Sequence, residues 1–415
     1  QAPATNAMNF AYAYHSRGNI TSETRNAKVT TYTYDALGQL IRVNDPHDTT
    51  AGSTGTTWLY NYDRGGNITS KSYYAYTTGT PGTAVDTITY SYTDSNWKDK
   101  LTAYDGQTIT YDAIGNPLND GTWTYTWEKG RQLKQMSKSG MTVEFKYDHN
   151  GLRTQKKVTS GGTPETTDYT LHGKLVTHLT RGSDKLHFFY DAQSRPAMVE
   201  FNGALYSYVH NLQGDVVGIV DSAGSLVVEY KYDAWGKPTL VRTLTTAYEA
   251  LAELNPFRYR GYVYDEETGL YYLRSRYYNA SIIRFINSDS IIALMGEILS
   301  SSPYIYCGNS PITFADENGL SFSSQVPPPE SGFVPPKGGI DKPSPSEFGR
   351  GWRDKWGNIW IPDSSDHGGN HWNVYDRKGN YVNVYPDGHR RRGKGKVHLP
   401  PSNPSPAPAP TIEPS

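Results

Sequence analysis

The sequence has little of what disulfide-bonded, membrane-spanning or strongly charged proteins contain. Its 415 residues include one cysteine, which excludes an intrachain disulfide framework and a cysteine-rich zinc site. Five methionines and a mean hydropathy of −0.66 argue against a large aliphatic core. No apolar run approaches the roughly 18 residues that a membrane-spanning helix needs. The formal net charge of −1 gives the whole chain no sign of a polyanionic partner.

Tyrosine and glycine are abundant instead, with 34 and 40 residues, and they follow a loose repeat. From residue 10 to about residue 240, an aromatic residue, a spacer, tyrosine and aspartate precede a glycine, as in Tyr32-Thr-Tyr34-Asp35-Ala-Leu-Gly38. Aromatic residues two positions apart share one face of a strand, and Asp-x-x-Gly is a turn sequence. The pattern predicts stacked β-hairpins, because no single hairpin is stable alone.

The repeats give way to a different pattern over residues 255–320, which begins NPFRYRGYVYDEETGLYYLRSRYYNASIIRF. This stretch resembles the segment that ends the repeat region of RHS (YD-repeat) proteins. In that family the segment finishes in a DPxGL motif, and the chain often cuts itself after the leucine. Here the motif is Asp316-Glu317-Asn318-Gly319-Leu320, with glutamate where the family has proline. Upstream, Asp289 is followed by Ser290, where proline is common in the family.

A carboxylate mechanism for such a cut requires two acids at one site, one ionised to activate water and one protonated to donate. Like charges a few ångströms apart push their pKa values apart and so produce that state. Asp289 and Asp316 are the predicted pair, and Arg276 is predicted to hold one carboxylate through a bidentate contact. The predicted scissile bond is Leu320–Ser321. The competing interpretation is that both aspartates are ordinary turn or strand-end residues.

A unit of different composition follows over residues 347–398, between a Pro/Gly-rich linker (321–346) and a Pro-rich tail (399–415). Alternating apolar and polar residues in Trp372-Asn-Val-Tyr375 and Tyr381-Val-Asn-Val-Tyr385 predict paired antiparallel strands. A run rich in arginine and lysine follows them, so this end is locally cationic although the whole chain is neutral.

The strings DHGGNHWNV and NVYPDGHRR in this unit resemble polymorphic toxin type 37, a domain found behind RHS repeats. The resemblance covers about Gly349 to Arg392, with Asn373 where the family has aspartate. It implies a small α+β ribonuclease of the barnase, EndoU, colicin and RelE-like superfold.

Ribonuclease chemistry without a metal needs a base for the 2′-hydroxyl proton, an acid for the leaving oxygen and cations on the phosphate. Histidines with a pKa near neutrality suit the first two roles, and the candidates are His367, His371 and His389. The candidate phosphate ligands are Arg390, Arg392 and Lys394.

Two other interpretations of this unit stay open. In the first, His367 and His371 hold a metal together with Asp363 or Asp366. The His-x-x-x-His spacing suits a metal only on a helix, and the intervening Gly-Gly disfavours a helix. In the second, His371 and the tryptophan after it are core residues, and the arginine run is a solvated tail. We predict no metal and no cofactor.

The sequence thus predicts a mostly β chain in which residues 1–254 are YD-repeat hairpins. By resemblance, the hairpins form a spiral sheet or partial shell, and the segment over 255–320 plugs one end. The resemblance also implies a secreted or injected bacterial toxin that cuts itself after Leu320 and releases a ribonuclease used against competing bacteria or host cells. The expected partners are RNA, an immunity protein, and a secretion apparatus or a larger N-terminal RHS region. The alternative is a surface adhesion module that contacts glycans through exposed aromatic rings and ends in a non-catalytic domain.

The opening residues QAPATNAMNF lack the basic and apolar regions of a signal peptide. They begin in mid-pattern and lack an initiator methionine. We therefore expect the chain to be the C-terminal portion of a longer protein.

Overall fold

The computed structural model describes most of the chain up to residue 325 and short stretches beyond it. The chain divides into two compact units, Gln1–Gln325 and Val326–Ser415. Within the described residues, no helix combines the length and the apolar character needed to cross a membrane. The described residues are 8–15, 18–289, 302–316, 319, 323–324, 344–346, 349–353, 358–362, 372–376, 381–384 and 390–392.

Two antiparallel sheets form the repeat region, and within each sheet every strand pairs with the next one along the chain. This topology confirms the predicted mostly β fold built from hairpins. The first sheet, over its described residues, contains β1 Phe10–Tyr14, β2 Ile20–Arg25, β3 Lys28–Tyr34, β4 Leu40–Asp45, β5 Thr56–Tyr62, β6 Ile68–Ala75, β7 Asp86–Ser91, β8 Ala103–Tyr104 and β9 Gln107–Thr108. The second contains β10 Thr110–Tyr111, β11 Pro117–Asn119, β12 Thr124–Glu128, β13 Gln132–Lys138, β14 Met141–Tyr147, β15 Arg153–Ser160, β16 Thr163–His172, β17 Leu175–Arg181, β18 Asp184–Tyr190, β19 Pro196–Phe201, β20 Ala204–His210, β21 Val216–Val220, β22 Leu226–Tyr232 and β23 Pro238–Thr243.

The repeated Asp-x-x-Gly sequence makes the hairpin turns. In one copy, Asp35 Oδ1 accepts the backbone N–H groups of Leu37 (2.9 Å) and Gln39 (2.8 Å), and Gly38 adopts a φ of +82°. Glycine takes this left-handed conformation without the strain that a Cβ would add. The same aspartate contacts recur at Asp63, Asp112, Asp148, Asp191, Asp221 and Asp233.

At five of the seven described turns, the tyrosine directly before the aspartate joins consecutive repeats. Tyr34 donates its hydroxyl hydrogen to the carbonyl of Ile20 at the start of the preceding strand (2.8 Å), and Tyr62 donates in the same way to Leu40 (2.6 Å). Equivalent bonds are made by Tyr92, Tyr147, Tyr190 and Tyr232. These hydroxyl groups are therefore engaged inside the sheet.

The segment after the repeats packs onto the side of both sheets that carries their buried residues. Its tyrosines, including Tyr271 and Tyr306, belong to the same buried hydrophobic cluster as residues of the first sheet such as Leu40. Its helix places Leu251 against the second sheet. We call residues 249–319 the core segment. Its regular elements are α1 Glu249–Leu254, β24 Val263–Asp265, β25 Leu270–Tyr272, β26 Tyr277–Asn279, β27 Arg284–Phe285 and β28 Phe314–Ala315, which pairs with β29 Ser323–Ser324.

A buried ion pair connects the core segment to the second sheet. Arg153 of β15 donates to both carboxylate oxygens of Asp265, at 2.6 and 3.0 Å, and both side chains are almost fully buried. Lys156 adds a second cation 3.3 Å from Asp265. Burial acts to raise the pKa of Asp265, but the charges of Arg153 and Lys156 outweigh it and the pKa is lowered. The carboxylate therefore stays ionised, and removal of Asp265 would leave the buried charge of Arg153 without this counter-charge.

The described elements of the second unit are all strands of one antiparallel sheet. The predicted strands at Trp372–Tyr375 and 381–385 are present, the latter described as far as Val384. Ile359, Trp360, Val374 and Val382 are buried, as is Trp372. The strands are β30 Ser344–Ser346, β31 Gly349–Arg353, β32 Ile359–Pro362, β33 Trp372–Tyr375, β34 Tyr381–Val384 and β35 Arg390–Arg392.

Candidate active site

The core segment brings together the two aspartates and the arginine that were predicted to form a cutting site. Nη2 of Arg276 lies 3.0 Å from Oδ2 of Asp289 and 3.2 Å from Oδ2 of Asp316. Nη1 donates to the carbonyl of Pro303 (3.1 Å), and Nε donates to the carbonyl of Gly319. We call Arg276, Asp289 and Asp316 the triad; its catalytic role stays a prediction.

The predicted bidentate contact between Arg276 and one carboxylate stays a prediction. Two of the three guanidinium nitrogens contact the Pro303 and Gly319 carbonyls. The remaining nitrogen, Nη2, contacts both carboxylates. The single guanidinium thus links two acids and two backbone carbonyls.

The triad is shielded from solvent. The side chains of Arg276, Asp289 and Asp316 are 6%, 11% and 2% exposed. The guanidinium lies 3.6 Å above the centre of the Phe285 ring. Burial lowers the pKa of Arg276, and the neighbouring charges of Asp316 and Asp289 act in the opposite direction. The two carboxylates therefore interact with the Arg276 guanidinium in an environment of low dielectric constant, where charge interactions are strong.

Asp316 is positioned by groups of the core segment. Its backbone N–H donates to the Tyr262 hydroxyl (2.8 Å), which lies 3.1 Å from the Tyr306 hydroxyl. Its Oδ1 accepts the backbone N–H of Gly319 (2.8 Å). Burial, followed by the charge of Asp316, raises the pKa of the Cys307 thiol well above its usual range. The thiol therefore stays protonated beside the carboxylate.

Gly319 directly precedes Leu320, after which the cut is predicted, and its backbone conformation requires glycine. Its φ is +73°, and a Cβ there would lie 2.7 Å from Ser275 Oγ and 2.8 Å from the carbonyl oxygen of Leu273. The chain returns in β29, where Ser323 pairs with Ala315. The connection that contains the predicted scissile bond is therefore held at both ends. Leu320 and Ser321 themselves lie outside the described residues.

Asp289 is bound by the core segment, and Ser288, the residue before it, is bound by the repeat region. Its backbone N–H donates to the carbonyl of Pro303 (2.9 Å). The residue before it, Ser288, accepts a hydrogen bond from Arg131 on its carbonyl (2.6 Å) and donates from Oγ to the carbonyl of Ile114 (2.9 Å). The sequence pattern did not identify Arg131 and Ile114 of the repeat region, because an arginine in a repeat turn is typically a surface cation.

The predicted nuclease residues are described only in part. The backbone of Arg390 and Arg392 forms β35 and pairs with Val384 and Val382 of β34. Asn373 lies in β33 and is partly buried. Among the residues that the structure describes, no group of three His, Cys, Asp or Glu side chains could hold a metal ion. The other candidates lie outside the described residues: His367, His371, His389, Lys394, and the alternative metal ligands Asp363 and Asp366.

The fold and motifs agree with comparisons to known proteins. A family model described as Teneurin YD-shell matches residues 4–306, and one described as Bacterial toxin 37 matches residues 318–388. The chain therefore belongs to the teneurin YD-shell family, and its resemblance to RHS/YD-repeat toxins with a type 37 domain is confirmed.

Among the curated relatives are nucleases. The chain is 34% identical over 293 residues to the tRNA3(Ser)-specific nuclease WapA of Bacillus spizizenii, and 33% identical over 293 residues to the tRNA nuclease WapA of Bacillus subtilis. Each alignment covers 69% of this chain and 12% of the relative, so the chain spans a small part of their length.

Solved structures share the fold of the repeat region. The complex of TcdB2-TccC3 with Cdc42 matches with a TM-score of 0.59 and 20% identity, covering 75% of this chain and 17% of that one. TcdB2-TccC3 without its hypervariable C-terminal region matches with a TM-score of 0.60 and 20% identity, covering 77% and 17%. At this level of identity the likeness concerns the fold alone.

Proposed function

We propose that this chain is the C-terminal portion of a secreted or delivered RHS-type polymorphic toxin. In this proposal the two sheets of the YD-repeat region, which we call the wall, enclose the core segment. The chain cuts itself after Leu320 and frees a C-terminal nuclease. The combination of a YD-shell match with a toxin-domain match behind it supports this assignment. The proposed domains are then 1–254 for the repeats, 255–320 for the core with its cutting motif, 321–346 for a linker, 347–398 for the nuclease and 399–415 for a tail. The core segment named above additionally includes the helix α1, Glu249–Leu254, which precedes the predicted core.

The observation that carries the self-cleavage is the contact of both aspartates with one guanidinium nitrogen, and Asp316 also binds the backbone N–H of Gly319, the residue directly before Leu320. If both acids were ionised, the triad would carry net negative charge in a buried site, the condition under which carboxylate pairs retain a proton. One aspartate can then act as a base and the other as an acid, as in other paired-carboxylate sites.

The reaction we propose is hydrolysis of the Leu320–Ser321 amide. The ionised aspartate takes a proton from a water molecule, whose oxygen bonds to the carbonyl carbon of Leu320. The protonated aspartate donates its proton to the nitrogen as the C–N bond breaks, leaving a carboxylic acid on Leu320 and an amine on Ser321, with the proton now on the other aspartate. Arg276 orients the bond through the carbonyl of Gly319, one peptide earlier in the chain.

The test is purification of the full chain followed by a denaturing gel and intact-mass measurement. We expect two fragments with a new N-terminus at Ser321 for the wild type and an intact chain for Asp316→Asn. Asp221→Asn is the matched control, since Asp221 belongs to an ordinary repeat turn. A wild-type chain that stays intact, or a cut elsewhere, would refute the proposal.

The released domain is proposed to cleave RNA in competition between bacteria or against host cells. The type 37 match and the tRNA nuclease names of the relatives support this activity. Those names differ in the tRNA they specify, so we propose RNA as the substrate class and no particular tRNA. His367, His371 and His389 would serve as acid and base, and Arg390, Arg392 and Lys394 would bind phosphate. An immunity protein would protect the producing cell.

Expression of the full chain in a bacterial host tests the nuclease. We expect growth arrest with fragmented RNA for the wild type and normal growth for His371→Ala, whose matched control is His178→Ala in β17. Undamaged RNA with normal growth for the wild type would refute the activity. The tyrosines beside the turns disfavour the glycan-binding alternative, because they direct their hydroxyl groups into the sheet.

A further inference from the structure

The two aspartates of the triad are held by different parts of the chain. We propose that the repeat wall controls the cut, because two of its turns place Ser288 and thereby complete the acid pair only once the wall has closed on the core segment. These turns are residues 112–116 and 128–132, which we call the wall turns. The inference rests on the proposed self-cleavage and names its regulation.

Asp316 is held by contacts from the core segment. Its backbone N–H is bound by Tyr262, its Oδ1 is bound by the N–H of Gly319, and Arg276 reaches its Oδ2. All of these residues lie within the core segment.

Asp289 depends on the wall. Ser288, which precedes it, is 1% exposed and is held by two wall residues more than 150 positions earlier in the chain. Arg131 donates from Nη1 to the Ser288 carbonyl (2.6 Å) and contacts its Oγ, and that Oγ donates to the carbonyl of Ile114 (2.9 Å). The carbonyl and the hydroxyl group of Ser288 are thus both bound by residues of the wall turns.

The wall turns act as one unit. Asn116, which is fully buried, donates from Nδ2 to Oδ2 of Asp112 in its own turn (2.8 Å) and to the carbonyl of Gly130 in the other turn (2.7 Å). A shift of either turn therefore moves the other. Arg131 follows Gly130 directly, so its guanidinium moves with the pair.

The same unit also holds the opposite side of the site. The Tyr304 hydroxyl donates to the carbonyl of Gly115 (2.9 Å), and a Cβ on Gly115 would lie 2.3 Å from that hydroxyl oxygen. Tyr304 follows Pro303, whose carbonyl binds both the Asp289 N–H and Arg276. The wall turns thus fix both chain segments that hold Asp289 against the triad.

The wall turns stand at the beginning of the second sheet, directly after the first sheet ends at Thr108. In this proposal they reach their positions when the two sheets have packed against the core segment. Arg131 touches no reacting atom, so it is a positioning residue. The expected consequence is that the nuclease is cut free only inside an assembled wall.

The experiment measures the rate of self-cleavage in the full chain after refolding from denaturant. We expect Arg131→Ala to slow the cut by about 10- to 100-fold, the order of effect of misplacing a catalytic group by an ångström. Ser288→Ala, which keeps the carbonyl contact, should slow it less. Millimolar guanidinium chloride should restore part of the Arg131→Ala rate, whereas sodium chloride should not.

The matched control is Arg42→Ala, which removes another wall arginine that donates to backbone carbonyls, those of Thr77 and Gly79 (both 2.7 Å). If Arg131→Ala cuts at the wild-type rate, or no more slowly than Arg42→Ala, the inference is overturned while the self-cleavage stands. If guanidinium fails to restore any rate, a positioning role for this side chain is overturned as well. If the wild type itself stays intact, the proposed function fails first.

Discussion

Gly319→Ala is the sharpest test of the geometry at the proposed cutting site. The backbone at Gly319 has a φ of +73°, and the added methyl group would lie 2.8 Å from the Leu273 carbonyl oxygen and 3.1 Å from the Arg276 backbone nitrogen. These neighbours are backbone atoms of a buried strand connection, so they cannot move aside as a flexible side chain would. The loop must shift instead, and the Gly319 carbonyl must leave Nε of Arg276.

Two costs add up in this variant, and they can be separated. The left-handed conformation costs an L residue about 1–2 kcal/mol relative to glycine. The steric clash adds to this cost and displaces the peptide that is proposed to be cut. A displacement of about 1 Å lowers the rate of such a reaction by about 100-fold. Gly140→Ala isolates the first cost, because Gly140 has a φ of +75° and nothing within 4 Å of an added Cβ.

The assay follows the fraction of intact chain over time after refolding, with thermal unfolding recorded in parallel. We expect Gly319→Ala to cut about 100-fold more slowly than the wild type and Gly140→Ala to cut at the wild-type rate with a small loss of stability. A Gly319→Ala chain that cuts normally would show that the carbonyl contact to Arg276 does not position the bond. Equal slowing in both variants would show that backbone strain alone explains the effect.

Three further predictions concern stability and positioning. Asp265→Asn should lower the free energy of unfolding by about 3–5 kcal/mol in a denaturant titration, because it leaves the charge of Arg153 buried and unpaired; an unchanged unfolding midpoint would contradict this. Burial, together with Asp215, raises the pKa of Glu23 to about 7, so its contribution to stability is complete below its unfolded pKa and is lost as pH rises through 7. Relative to the wild type, Glu23→Gln should therefore gain thermal stability between pH 5 and pH 8, and a constant difference would refute the shift. Tyr262→Phe removes the acceptor for the Asp316 N–H and should slow the cut by about tenfold; unchanged kinetics would exclude a positioning role.

The repeat region could be predicted because its information is local. Tyr34, Asp35 and Gly38 lie within five positions, and their spacing determines a strand end and a turn. The hydrogen bonds of Asp35 and the φ of Gly38 follow that expectation directly. The number of strands and their pairing in chain order then result from repetition of one short pattern.

The site was predictable only as far as a family motif reached. The motif pointed to Arg276, Asp289 and Asp316, and the structure brings them together. It did not reveal that one nitrogen contacts both acids, because that arrangement depends on which carbonyls take the other nitrogens. The contact of Arg131 with Ser288 spans more than 150 positions and depends on how the sheets close, which a single sequence does not display.

The pairing of β28 with β29 determines what remains between the two products of a cut. It consists of two residue pairs, Phe314 with Ser324 and Ala315 with Ser323. A two-stranded contact of this length has no independent stability in water. After the proposed hydrolysis, this pairing would hold Ser323 and Ser324 to the core segment no more firmly than a short hairpin holds its two strands, while both acids of the triad stay with the core segment.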